Sequence, residues 1–234
     1  MTPQQLVDTF GLLADDNAEP KLWSDALRLT YASDGELEAA RRARLILDTS
    51  TTEICQLEVS AVTAAEVADY EPLEVDARVI FVRRVKLDSQ DRPLPKASVA
   101  ELDLNCPGWE TEIGTPRAWI PWGDHQIRPY PLPDTDDVMR LHVIREPLEQ
   151  VALATVSPAV AAVPLEIAPR YHMGVVKWML HRAYLHRERQ DMYRPEESAR
   201  YLAEFEEEFG KKSTAVDETW INRKHGYDEF EGVY

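Results

Sequence analysis

Apolar residues recur with a helical period near both ends of this chain, while the hundred or so residues between read as strands and turns. One narrow amphipathic stretch cannot bury its own apolar face. The two helical ends are therefore expected to close into one body, with the middle as an insertion.

The local signals are specific. Thr2, Pro3 and Gln5 read as a cap, a first-turn proline and the return arm of a capping box. They open a helix over Thr2–Leu13, with Leu6, Phe10 and Leu13 on one face before Asp15-Asp16-Asn17 breaks it. Ser24 caps a second helix, Ser24–Leu47, whose stripe is Leu29, Ala32, Ala39, Ala40, Ala43, Ile46 and Leu47. Gly35 weakens its continuity, at a cost of about 1 kcal/mol in a helix interior. After Pro169, the spacing of Val176, Met179, Leu180, Ala183 and Tyr184 predicts a helix over Arg170–Arg189. Pro195–Phe209 is the last, with Tyr201, Leu202, Phe205 and Phe209 facing one way and Gly210 as its stop.

Between them, Val75–Leu87 is β-rich, Val99–Leu104 suits a helical turn, and Gly123-Asp124 marks a hairpin returning through His125–Tyr130. Pro131 and Pro133 would end that strand and confine it to an edge. Met139–Ile144 alternates as a half-buried strand does. The fold class predicted is α+β: a helical bundle built from the N- and C-terminal helices, an inserted small antiparallel β module, and an extended C-terminal arm. The expected division is 1–49 and 170–210 for the bundle, 50–146 for the module, 147–169 for an extended Pro/Ala-rich connection, and 211–234 for the arm.

Reactive chemistry is hard to find. There is no Gly-rich phosphate loop, no G-x-S-x-G elbow and no H-E-x-x-H. His172, His181 and His186 lie near one helix, but at 100° per residue His181 points away from both others. His172 and His186 stand about 21 Å apart along the axis. No catalytic residue, metal site or cofactor is expected. Asp134, Asp136 and Asp137 read as a solvated turn, and Cys55 and Cys106 as free thiols. A formal net charge of −16 disfavours nucleic-acid binding. No apolar run reaches the ~20 residues of a membrane span, and no signal peptide is read at the start.

What remains is surface. Trp119 and Trp122 flank a hairpin turn, where an aromatic ring can anchor a subunit contact. Arg182 and Arg187 sit on a helix face suited to a neighbouring subunit. The arm Lys211–Tyr234 carries Trp220, Ile221, Tyr227, Phe230 and Tyr234, too many large apolar groups for a purely solvated tail. These five are the expected partner-binding residues.

Trp23-Ser24-Asp25-Ala26-Leu27 leads into Ser33-Asp34-Gly35-Glu36-Leu37-Glu38-Ala39-Ala40-Arg41-Arg42. Later come Glu101-Leu102-Asp103, Pro107-Gly108-Trp109, Gly114-Thr115-Pro116-Arg117-Ala118-Trp119 and Tyr130-Pro131-Leu132-Pro133-Asp134. Pro164-Leu165-Glu166-Ile167, Tyr171-His172, Trp178, Arg182-Ala183-Tyr184 and Phe205–Gly210 follow. In order and spacing, over most of residues 22–210, the chain resembles the head-to-tail connector (adaptor) proteins of tailed bacteriophages. Lys211–Tyr234 carries none of these motifs.

The resemblance implies a virion structural protein, assembled in the host cytoplasm and not an enzyme. It implies a ring, commonly of twelve copies, beneath the portal protein, joining head to tail or neck proteins. DNA would pass through its channel without specific binding. The arm's aromatic composition, apart from the resemblance, suits a segment that orders on the portal or an adjacent copy, or one that folds onto its own domain. Two other readings stay open: a tail-terminator or neck-completion protein, and a hydrolase in which His172, His181 or His186 meets carboxylates across helices.

Overall fold

A computed structural model describes residues 1–18, 20–123, 125–156, 159–185 and 193–212. In chain order the elements are α1 (Pro3–Leu13), α2 (Asp25–Ala43), β1 (Leu47–Asp48), α3 (Thr52–Cys55), β2 (Gln56–Val59), β3 (Leu73–Glu74), β4 (Val79–Leu87), α4 (Val99–Asn105), β5 (Ala118–Trp122), β6 (Gln126–Tyr130), β7 (Asp137–Arg145), β8 (Thr155–Val156), β9 (Ala159–Val160), α5 (His172–Tyr184) and α6 (Pro195–Phe209). Short 3₁₀ turns occur at Val67–Asp69, Trp109–Thr111 and Pro169–Tyr171. The fold is α+β. Its described residues form two compact units, Met1–Ile46 with Glu146–Lys212, and Leu47–Arg145.

The helical unit is built from α1, α2, α5 and α6. Thr2 and Gln5 form the capping box of α1, and the Ser24 hydroxyl accepts from Leu27 N at the start of α2. The apolar face of α1 is centred on Leu6, Val7, Phe10 and Gly11. That rotates Leu13 to the rim, where it is 45% exposed, against the expected face. Helix α2 runs unbroken through Gly35. A Cβ there would stand 2.9 Å from Cδ1 of Trp178, so the glycine allows α5 to approach closely. The helix stops earlier than expected because Arg44 turns left-handed (φ 53°). Beyond it Leu47 joins β1 and is exposed. Leu6, Phe10, Trp23, Ala32, Val176, Met179, Leu180 and Phe205 meet in one core.

The segment expected to be an extended connection doubles back instead. Ala152 bridges Val163 antiparallel, β8 pairs β9, and Val151, Leu165 and Ile167 enter the helical core. Its ends are held on α2. Ser33 Oγ accepts from Val151 N at 3.0 Å, and Glu36 Oε1 accepts from Glu166 N and Ile167 N at 2.5 and 3.0 Å. Burial pushes the Glu36 carboxyl up to about 7, against those two backbone donors, which favour its ionised form.

In the β unit, β7 is central. Strands β1 and β2 pair with successive stretches of one edge, and β4 pairs with the other, all antiparallel. A second sheet has the order β3-β6-β5. Strand β6 therefore lies in the middle, not at an edge as its prolines suggested. Pairing with β3 uses only Gln126 and Ile127, so Pro129, Pro131 and Pro133 fall outside that ladder. Asp48 ties this unit together: Arg145 donates to it at 2.6 Å and the Thr51 hydroxyl at 2.7 Å.

Candidate functional site

Aromatic rings and buried cations carry most of the distinctive chemistry here, and they lie in three places.

The first is the interface of α5 and α6. His181 Nδ1 lies 3.0 Å from Ser198 O and 2.8 Å from Ser198 Oγ, and that hydroxyl donates to His181 O at 3.0 Å. Trp178, Phe205 and Phe209 pack as tilted rings along the same seam, with the Arg42 guanidinium over Trp178 and Phe205. Burial lowers the pKa of His181, with Arg182 and Arg42 adding to the effect. The folded state thus prefers the neutral ring. Its contribution is complete above the unfolded value of about 6.5 and is lost as pH falls from there through the lowered folded value. Glu36, raised to about 7, acts in the opposite sense over the same range, so the His181 contribution is read as a difference: between pH 7.5 and 5.5 the urea midpoint, followed by helical circular dichroism, should fall relative to that of His181→Asn, which keeps a donor near the Nδ1 position. An identical acid dependence in the variant would remove His181 as a cause.

The second place is the cage around Arg128. Its guanidinium carbon stands 5.6 Å from the ring centre of Tyr70, 5.2 Å from Trp109 and 5.3 Å from Trp122. Nη2 donates to Glu110 O at 2.7 Å. Trp109 is fixed by its indole N–H on Asp103 at 2.9 Å, and its edge meets Trp122. The hairpin β5–β6 sets this geometry: Trp122 lies opposite Gln126 and Ile120 opposite Arg128, which places these side chains on one face.

The third is the buried ion pair of Asp16 and Arg28 in the helical unit, at 2.7 Å. Asp16 also accepts from Leu22 N and Trp23 N, and Arg28 covers the ring of Phe10. It is structural in character, as is Asp48–Arg145.

The residues expected to meet a partner fall unevenly on this framework. Trp119 is 3% exposed and packs inside the β unit, with Lys96 over its ring. Trp122 is half-buried at the Arg128 cage. Arg182 is half-exposed, 3.5 Å from Asp34 and above the Tyr31 ring. Arg187, Trp220, Ile221, Tyr227, Phe230 and Tyr234 lie outside the described residues.

Among the described residues, no group of three or more His, Cys, Asp and Glu could hold a metal ion. His172 is spent on Ile167 O and His181 on Ser198. Cys55 is buried beside Asp48, and burial followed by that charge pushes its thiol up to about 11, far from a reactive thiolate. No described helix is long and apolar enough to cross a membrane. Sequence reading did not identify Arg128 or Arg28. Arg28 shares the face of Ala32, Gly35 and Ala39, and a cation inside an apolar stripe is a readable signal of a buried partner.

A family model described as SU10 adaptor protein matches residues 1–224. No curated protein matches the chain.

Proposed function

Since this chain belongs to the SU10 adaptor protein family, a family of structural phage proteins, we propose that it is a head-to-tail adaptor of a virion, not an enzyme. In this reading several copies, commonly twelve, form a ring beneath the portal, join it to tail or neck proteins and continue the DNA channel. The match over residues 1–224 carries the proposal. A net charge of −16 fits a wall past which DNA slides without adhering, because phosphate binding depends on clustered Lys and Arg. Trp122 and Arg182 are offered as contacts between copies, together with Arg187, while Trp119 is buried inside the β unit. The arm 211–234 is offered as the segment that reaches the portal or an adjacent copy, through Trp220, Ile221, Tyr227, Phe230 and Tyr234.

Electron microscopy of the purified chain mixed with purified portal should show an added ring on the portal's tail-facing end. A chain lacking 211–234 should keep its helical circular dichroism and fail to add that ring. Binding to tail tubes and not to portal would replace this reading with that of a tail-completion protein. Normal docking of the truncated chain would remove the arm from the contact.

A further inference from the structure

The Arg128 cage opens on a cavity of about 620 Å³ in the β unit, lined in part by Ala64, Val67, Tyr70, Thr111 and Trp122. That volume is ordinary for a site that takes one or two side chains. Arg128 is 9% exposed and lines the cavity. Three rings cover the guanidinium, and among the described residues its one hydrogen-bond acceptor is Glu110 O. A guanidinium carries five N–H donors in a rigid fork. The Tyr70 hydroxyl, also at this cavity, is buried without a partner among the described residues. The Tyr70 hydroxyl thus lacks an acceptor at a cavity that Arg128 and Glu110 also line, and a buried donor without an acceptor is costly.

The shape of the deficit specifies the ligand. A guanidinium is a planar fork of N–H donors, which a carboxylate matches with two parallel hydrogen bonds. Walls of Ala64, Val67, Tyr70 and Trp122 leave room beside that carboxylate for an apolar or aromatic side chain. One guanidinium in a chain of net charge −16 does not make a groove for a nucleic-acid backbone, which requires several cations in register. Beyond the described residues the same chain carries Tyr227-Asp228-Glu229-Phe230-Glu231, three carboxylates among two rings, and no Lys or Arg follows Lys224.

We propose that the Arg128 cavity is a carboxylate-recognition site whose occupant is the acidic, aromatic segment 227–231 of this chain. The proposal rests on reading the arm as a docking segment, and not on the ring or the portal. One carboxylate takes the Arg128 fork and the Tyr70 hydroxyl, and a ring from the same segment lies against Trp122.

The test uses the full chain with a photo-crosslinking benzoylphenylalanine in place of Phe230. Adducts are expected on peptides spanning Ala64–Tyr70 or Glu110–Arg128. Their yield should fall about fivefold or more when salt rises from about 0.05 to 0.5 M, since the contact is an ion pair. Asp228→Asn, Glu229→Gln and Glu231→Gln combined should lower the yield similarly, without touching the β unit. Arg128→Gln should abolish the adduct. Glu110→Gln, which removes a competing carboxylate at the rim, should raise it. Adducts at monomer mass identify the chain's own segment and adducts at dimer mass that of a second copy; both support the site. Adducts found only elsewhere, or a yield indifferent to the three arm substitutions, would overturn it. No portal is present in this experiment, so its failure is separable from failure of the adaptor reading.

Discussion

Replacing Asp16 by alanine should destabilise the helical unit by about 3–5 kcal/mol, because it leaves the Arg28 guanidinium buried and unpaired. The two side chains are 2% and 1% exposed, and their charged atoms are 2.7 Å apart. Arg28 has other contacts, donating to Val7 O and Asp16 O, but these carry no full negative charge. Asp25 lies 3.6 Å away and is partly exposed, so water screens what it could return. The carboxylate has a second task, accepting from Leu22 N and Trp23 N and so ordering the turn into α2. Burial alone would raise its pKa, yet those two donors and Arg28 together hold it below the usual range. Its contribution is therefore complete above about pH 4 and is lost as pH falls further. Urea denaturation of Asp16→Ala beside Asp16→Ala/Arg28→Met separates the terms. The double variant should recover part of the loss, since no charge is stranded. A single variant within about 1 kcal/mol of the parent would show that the pair is not buried as described.

Phe205→Ala should cost a similar amount, about 3–5 kcal/mol, by a different route. Phe205 is fully buried on α6, 4.9 Å ring to ring from Trp178 and 4.7 Å from Phe209. The Arg42 guanidinium lies 5.2 Å from its ring centre. Truncation removes the transfer free energy of the ring and leaves a void, because Gly174, tight against Phe209, leaves little slack for α5 to move in. Phe205→Leu should cost clearly less, since it refills part of the space. Equal losses for the two variants would argue that the cation–π contact with Arg42, and not the volume, dominates.

The elements legible in the sequence were those whose ends carry local chemistry. Thr2, Pro3 and Gln5, then Ser24, then Pro195 and Gly210, place the ends of α1 and α6 and the start of α2 within a residue of where they lie. The hairpin β5–β6 was legible for the same reason. What stayed hidden is what depends on distant partners. Nothing near Pro131 reveals that β3 adds to the free edge of β6, because that pairing joins Leu73 to Ile127. Helix α2 was predicted too long because Ile46 and Leu47 continue its stripe, while the left-handed turn at Arg44 has no glycine to announce it. The site residues followed the same division. Trp119 and Trp122 share a place beside a turn that suits an exposed anchor, yet burial separates them: Trp119 is 3% exposed, while Trp122 lines the Arg128 cavity. A lone arginine in a strand, such as Arg128, reads as a solvent-facing residue until Tyr70 and Trp109 are brought over it.

The order of the helices along the chain has a consequence for synthesis. Helices α1 and α2 leave the ribosome first, but Val176, Met179, Leu180 and Phe205, which complete the core they share, come from α5 and α6. Roughly 130 residues separate the two halves, which at ~5–20 residues per second is a delay of about 6–26 s. Strand β7 likewise arrives after β1, β2 and β4, each of which pairs with it. The nascent chain therefore holds its oily helix faces uncovered for a time very long against microsecond collapse. Its two units reach completion in the reverse of the order in which their first residues appear.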